Sequence, residues 1–78
     1  MEIKILGTGC SKCNILEKAT RETVDELGIS ANISKEEDIL RIMEYGIMRT
    51  PGLVINEKVV LSGRVPTNKE LKKLLTQY

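Results

Sequence analysis

Residues 1–34 change periodicity twice, and this limits the folds open to the chain. The segment "EIKIL" (2–6) is short, Ile-rich and closed by Gly7 and Gly9, as a buried strand is. From Ser11 to about Leu27, the residues Ile15, Leu16, Ala19, Thr23 and Leu27 recur at helical steps on one face. Gly28 then stands where a glycine commonly ends a helix. "ISANIS" (29–34) alternates apolar and polar, and reads as a second strand. Strand, helix and strand in this order predict a parallel pair with a right-handed crossover.

Ser34 and Glu37 have the spacing of a capping box and predict a helix to about Tyr45, with Ile39, Ile42 and Met43 on its apolar face. Gly46 stops it, and Ile47 can pack back on Ile42. "LVI" and "KVVL" flank Asn56-Glu57 as a two-residue hairpin, whose turn type Glu57 leaves open because it suits positive φ less than glycine does. Thr67 and Glu70 repeat the capping-box spacing and open a last helix with Leu71, Leu74, Leu75 and Tyr78 on its buried stripe. The expected fold class is α/β. The order β-α-β-α-β-β-α forms a four-stranded mixed sheet flanked by three helices, in a single domain over residues 1–78.

There is no Phe, Trp or His, so the core must come from Ile, Leu, Val and Met, with Tyr45 and Tyr78 the only rings. A net charge of +1 with interspersed signs gives no footprint for nucleic acid, and aromatic platforms for stacked bases are missing. No apolar run reaches the roughly 18 residues a membrane span requires. "MEIKILG" has no secretory-signal pattern, so a cytoplasmic protein is expected, without nucleic-acid or membrane partners. In that compartment a close cysteine pair is more often catalytic or metal-binding than a structural disulfide.

Cys10 and Cys13 lie in "GTGCSKC", where the first strand meets the first helix. A helix start carries free N–H groups and partial positive charge, which favour thiolate over thiol, and Lys12 adds a cation. The placement predicts an exposed, nucleophilic Cys10 and an inward-facing, resolving Cys13. The rival reading is a soft-metal or metallochaperone-like module, since two thiolates also suit Cu(I) or Zn(II). The mundane reading is a pair of small buried residues, and a weaker third is an adaptor with a vestigial motif. Pro51, in "MRTPG", forces Thr50 out of the helical region and can open the third strand.

The CxxC at the mouth of the first helix, the Thr-Pro before a hairpin, and the element order together resemble the thioredoxin/glutaredoxin superfamily. "TGCSKC", "EKATRETVDELGI", "TPGLVIN" and "GRVPTNKELKKLL" look like the compact archaeal and bacterial thioredoxin-like proteins sometimes named redox-active disulfide proteins. The resemblance covers nearly the whole chain. It implies a thioredoxin-like fold, a cis Thr50–Pro51 bond packed across from the cysteine pair, and Thr50 as a substrate-contacting residue. A glycine at position 63 would let substrate approach. Two departures stand out. The Trp that precedes the motif in thioredoxins proper is Gly9 here, and the strand residue that would be a buried carboxylate is Lys4.

The expectation is a thiol–disulfide oxidoreductase with Cys10 and Cys13 catalytic, Thr50, Pro51, Gly63 and Lys12 at the substrate, and no metal site or cofactor. Its partners would be a disulfide-containing protein or small-thiol substrate, with a disulfide reductase as electron donor. It would work as a monomer.

Overall fold

A computed structural model describes residues 1–9, 11–47 and 49–77. The expectations for Cys10 and Tyr78 lie outside the described residues. The elements run β1 (Glu2–Leu6), α1 (Ser11–Leu27), β2 (Asn32–Glu36), α2 (Ile39–Glu44), β3 (Gly52–Ile55), β4 (Lys58–Ser62) and α3 (Asn68–Gln77). The sheet order is β2-β1-β3-β4. β1 pairs with β2 in parallel and with β3 antiparallel, and β3 pairs antiparallel with β4. This is the expected mixed sheet with three helices.

Strand alternation sends successive side chains to opposite faces. Ile3, Ile5, Leu53, Ile55 and Leu61 form the main core with Leu16 and Val24 of α1 and Leu71 and Leu75 of α3. On the other face, Leu6 and Val54 meet Ile42 of α2 and the following Ile47. Ile47 thus packs with Ile42 as the sequence suggested.

Five local expectations change. The buried stripe of α1 is Cys13, Leu16, Thr20, Thr23 and Val24, while Ile15 is 55% exposed. Threonine can occupy this stripe because Thr20 and Thr23 hydroxyls donate to the carbonyls of Leu16 (2.8 Å) and Ala19 (2.7 Å), which satisfies their polarity. Strand β2 starts at Asn32, not Ile29. The Ile29 N–H donates to Val24 O and the Gly28 N–H to Asp25 O, so Ile29 closes α1 in a Schellman motif.

The capping box at Ser34 and Glu37 does not form. Ser34 and Glu36 are committed to the ladder with Lys4 and Leu6, and the Gly7 N–H extends it to Glu36 O. Asp38 caps α2 instead, its Oδ1 accepting from the Leu40 N–H at 2.9 Å. The helix is then only six residues long and leaves Ile39 and Met43, assigned above to its buried face, exposed along with Leu40. The Thr67 box is half made. Thr67 Oγ1 accepts from the Glu70 N–H at 3.2 Å, but the Glu70 carboxylate turns to a bidentate pair with Arg64.

The hairpin turn is settled by geometry. Asn56 (φ 49°) and Glu57 (φ 68°) are both left-handed, as a type I′ turn requires. Asn56 also bonds back to Glu2 through both its side chain and its N–H, which fixes the turn against β1.

Candidate functional site

The site is assembled at one end of the sheet, where β1 runs into α1 through Gly7, Thr8 and Gly9. Gly9 has φ +85°, so the chain turns there in a conformation that side chains disfavour. Ser11 and Lys12 then begin α1, whose first turn carries no acidic residue to offset the positive helix end. Cys13, in this turn, is 2% exposed. Its inward placement is as expected from the sequence.

Gly7 explains how Cys13 can be seated so close to β1. A Cβ built on Gly7 would collide with Cys13 Sγ, stand 3.0 Å from Cys13 Cβ and lie 3.9 Å from Thr50 Cβ. Gly7 is therefore the spacer between the thiol and the segment before β3. Sequence reasoning treated it only as a strand boundary. A glycine ending a buried strand just before a thiol motif does signal close backbone approach, and that signal was there to be used.

The Thr50–Pro51 peptide bond is cis. Pro51 is buried and directly precedes β3, while Thr50 is exposed. The Gly63 N–H donates to Pro51 O at 2.8 Å, which binds the end of β4 to this turn. Gly63 has φ +81°, and Arg49 Cβ packs 3.4 Å from where a Cβ would be. Thr50, Pro51, Gly63 and Cys13 are thus brought together. Lys12 is exposed on α1, and no hydrogen bond or ion pair joins it to Thr50, Pro51 or Gly63 among the described residues.

A groove of about 420 Å³ opens beside Thr50, lined by Thr8, Thr50, Ile39, Ile42, Met43 and Ile47. Ile39 and Met43, which α2 leaves uncovered, form part of the wall of this groove.

Lys4 does not approach Cys13. Its side chain lies on the α2 face, where Nζ donates to Tyr45 Oη at 3.0 Å and pairs with Glu57 Oε1 at 3.3 Å. The Tyr45 hydroxyl and then the Glu57 carboxylate hold its pKa above the ordinary lysine value. On the α1 face the charges are different. Glu17 accepts from Lys35 Nζ at 3.0 Å and from Arg21 at 3.2 Å, and these bonds, that from Lys35 first, hold its pKa below the usual carboxylate value.

The description "Thioredoxin domain" belongs to a family model that matches residues 1–76. The chain belongs to the thioredoxin family. It is 43% identical to a thioredoxin of Methanothermobacter thermautotrophicus over 76 residues, spanning 97% of this chain and 99% of that protein. It is 40% identical to a thioredoxin of Methanocaldococcus jannaschii, over 97% of this chain and 87% of that protein. A probable thioredoxin of Archaeoglobus fulgidus is 32% identical over 85% of this chain and 75% of its own length. The chain is a thiol–disulfide oxidoreductase, and disulfides and a reductase are its partners in general terms. No helix among the described residues is long and apolar enough to cross a membrane.

Proposed function

We propose that Cys10 and Cys13 carry the exchange, with Thr50, Pro51 and Gly63 shaping the substrate groove. The observation that carries this reading is the seat of Cys13, which is buried at the start of α1 and separated from Thr50 only by the side-chain-free Gly7. In the reducing direction the Cys10 thiolate attacks one sulfur of a substrate disulfide. The substrate S–S bond breaks, a Cys10–substrate disulfide forms, and the first substrate sulfur leaves as thiolate. The Cys13 thiolate then attacks Cys10 Sγ and releases the second sulfur. Two electrons pass to the substrate, and the protein keeps the Cys10–Cys13 disulfide.

A buried second thiol suits this order, because reagents and substrates from solution meet it only through Cys10. Thr50 is exposed and lines the groove, so its backbone can meet an extended substrate segment. Lys12, exposed on the same helix turn, supplies a cation near the entrance. In this reading the domain spans 1–78, works as a cytoplasmic monomer without bound cofactor, and takes electrons from a disulfide reductase or a small-thiol pool. Its substrates are protein or small-molecule disulfides.

The test is a titration of the metal-free protein through graded thiol/disulfide buffers, with free thiol at both cysteines as the readout. A single reversible two-electron transition between about −180 and −300 mV is expected. Cys10→Ser and Cys13→Ser should each abolish it. The absence of any reversible intramolecular disulfide would refute the reading and favour metal binding by the same two thiolates.

A further inference from the structure

Helix α2 stands between two depressions of opposite character. On one side Ile39, Ile42 and Met43 line the apolar groove beside Thr50. On the other, Arg41, Glu44 and Tyr45 line a polar cleft of about 390 Å³ together with Lys4, Glu36 and Glu57. At about 3.6 residues per turn, these two sets fall on opposite flanks of the helix. The charges of the cleft answer one another, Lys4 with Glu57 and Arg41 with Glu36, so its chemistry is spent inside the protein.

The helix has six residues and buries only Ile42, so it is too short to be held by its own backbone bonds. Its place depends on what ties it down. Ile42 packs on Leu6, Ile47 and Val54, and Asp38 caps the first turn. At the other end Tyr45 is the C-cap residue, and its ring rests against the same apolar cluster. The Tyr45 hydroxyl accepts from Lys4 Nζ at 3.0 Å and donates to Glu57 Oε2 at 3.3 Å. Lys4 Nζ closes the triangle on Glu57 Oε1 at 3.3 Å. One hydroxyl therefore joins the end of α2 to an inner strand and to the β3–β4 turn. The bond from Lys4 is part-buried and the bond to Glu57 exposed, so Lys4 is the firmer anchor.

We propose that Tyr45, through Lys4 and Glu57, is a positioning residue that sets α2 as the wall of the substrate groove, at the spacing that admits a bulky apolar side chain of an extended disulfide substrate. The inference rests on the reading of this groove as the substrate's seat. The groove suits such an occupant because it is continuous with Thr50, and none of its lining residues is charged among the described residues. Ile39 and Met43 are 61% and 63% exposed, so they have apolar surface left to cover. A shift of α2 moves both of them at once, because they stand one helical turn apart.

The test uses the reduced full-length protein in single turnover. Its substrates are extended peptides whose one cysteine is disulfide-bonded to 2-thiopyridine, with leucine or alanine beside that cysteine. Cys10 takes the peptide sulfur and thiopyridone leaves, which reports the rate as peptide concentration is raised. The wild type should reach half its maximal rate at a lower concentration of the leucine peptide. Tyr45→Phe keeps the ring and loses both bonds. It should raise that concentration about two- to tenfold with the maximal rate unchanged, and leave the alanine peptide nearly unmoved. Lys4→Met should act in the same way, and adding Tyr45→Phe to it should change little more, since the two residues share one bond.

A merely structural role would lower the maximal rate and weaken both peptides alike, and that result overturns the assignment. A folded Tyr45→Phe protein that keeps the wild-type preference also overturns it, with the exchange reading left standing. A wild type that treats the two peptides equally overturns the occupant assigned to the groove, and this inference with it. A wild type that forms no reversible disulfide overturns the reading of the exchange beneath both.

Discussion

Gly7→Ala is the substitution that most directly probes how the thiol is seated. Gly7 is buried and does not need positive φ, so alanine brings no backbone strain. The cost comes from the added methyl, which meets Cys13 Sγ and stands 3.0 Å from Cys13 Cβ. Neither atom is the free end of a long side chain, so the first turn of α1 must shift. Overpacking of this kind costs about 1–3 kcal/mol. At about 4–8 °C per kcal/mol for a domain of this size, the melting temperature should fall by about 4–24 °C. The displaced Cys13 should also react faster with a thiol reagent, measured in a Cys10→Ser background. Gly9→Ala is the control. At φ +85° it has no neighbour within 4 Å, so it should cost about 1–2 kcal/mol of backbone strain and leave Cys13 reactivity unchanged. If Gly7→Ala melts like the wild type and leaves Cys13 equally protected, the steric account of the site is wrong.

Leu16→Ala should cost about 2–5 kcal/mol by denaturant unfolding, because Leu16 is fully buried, whereas Ile15→Ala should stay within about 0.5 kcal/mol; equal losses would contradict the observed orientation of α1. Glu57→Gly should raise the melting temperature, since it relieves a left-handed residue at φ 68° and gives up only exposed contacts, the ion pair with Lys4 and a hydrogen bond from the Tyr45 hydroxyl; a lower melting temperature would show that these contacts matter more than the turn. Glu17, held down chiefly by Lys35, and Glu70, held down chiefly by Arg64, titrate below the ordinary Glu value of 4.5, so the stability they contribute is complete above that pH and lost as the pH falls through their lower folded values. Thermal melts of Glu17→Gln and Glu70→Gln should therefore lose less stability than the wild type on acidification below about pH 4.5, and parallel curves would refute the assignment.

The residues that announced themselves were those whose local chemistry agrees with the tertiary structure. Gly28 and Gly46 end helices because the left-handed conformation suits them, and the β-branched runs around Asn56 pair because nothing else competes for them. The readings failed where a distant partner outbid a local signal. Ser34 has good capping chemistry, but the parallel ladder with β1 needs its backbone, and the cap passes to Asp38. Ile15 is the more apolar residue, yet Thr20 takes the buried position because its hydroxyl bonds inside the helix. At the site, the thiol spacing and Thr-Pro were visible as motif, and the cis bond was implied only by the resemblance. Gly7 was passed over because its importance depends on which strand lies under which helix, and no window of sequence contains that.

The placement of β1 has a consequence for how the protein comes off the ribosome. β1 is the inner strand of the parallel pair, yet it is translated before both of its neighbours. Ile3 must wait for Ile33 on one side and for Ile55 on the other. A nascent chain that has exposed its cysteine motif still lacks the far wall of the site, because Thr50 and Pro51 are not yet made. Until then one edge of β1 is open and the thiols stand outside any selective groove. On the proposed reading, redox competence arrives together with the sheet, after the cysteine motif has emerged.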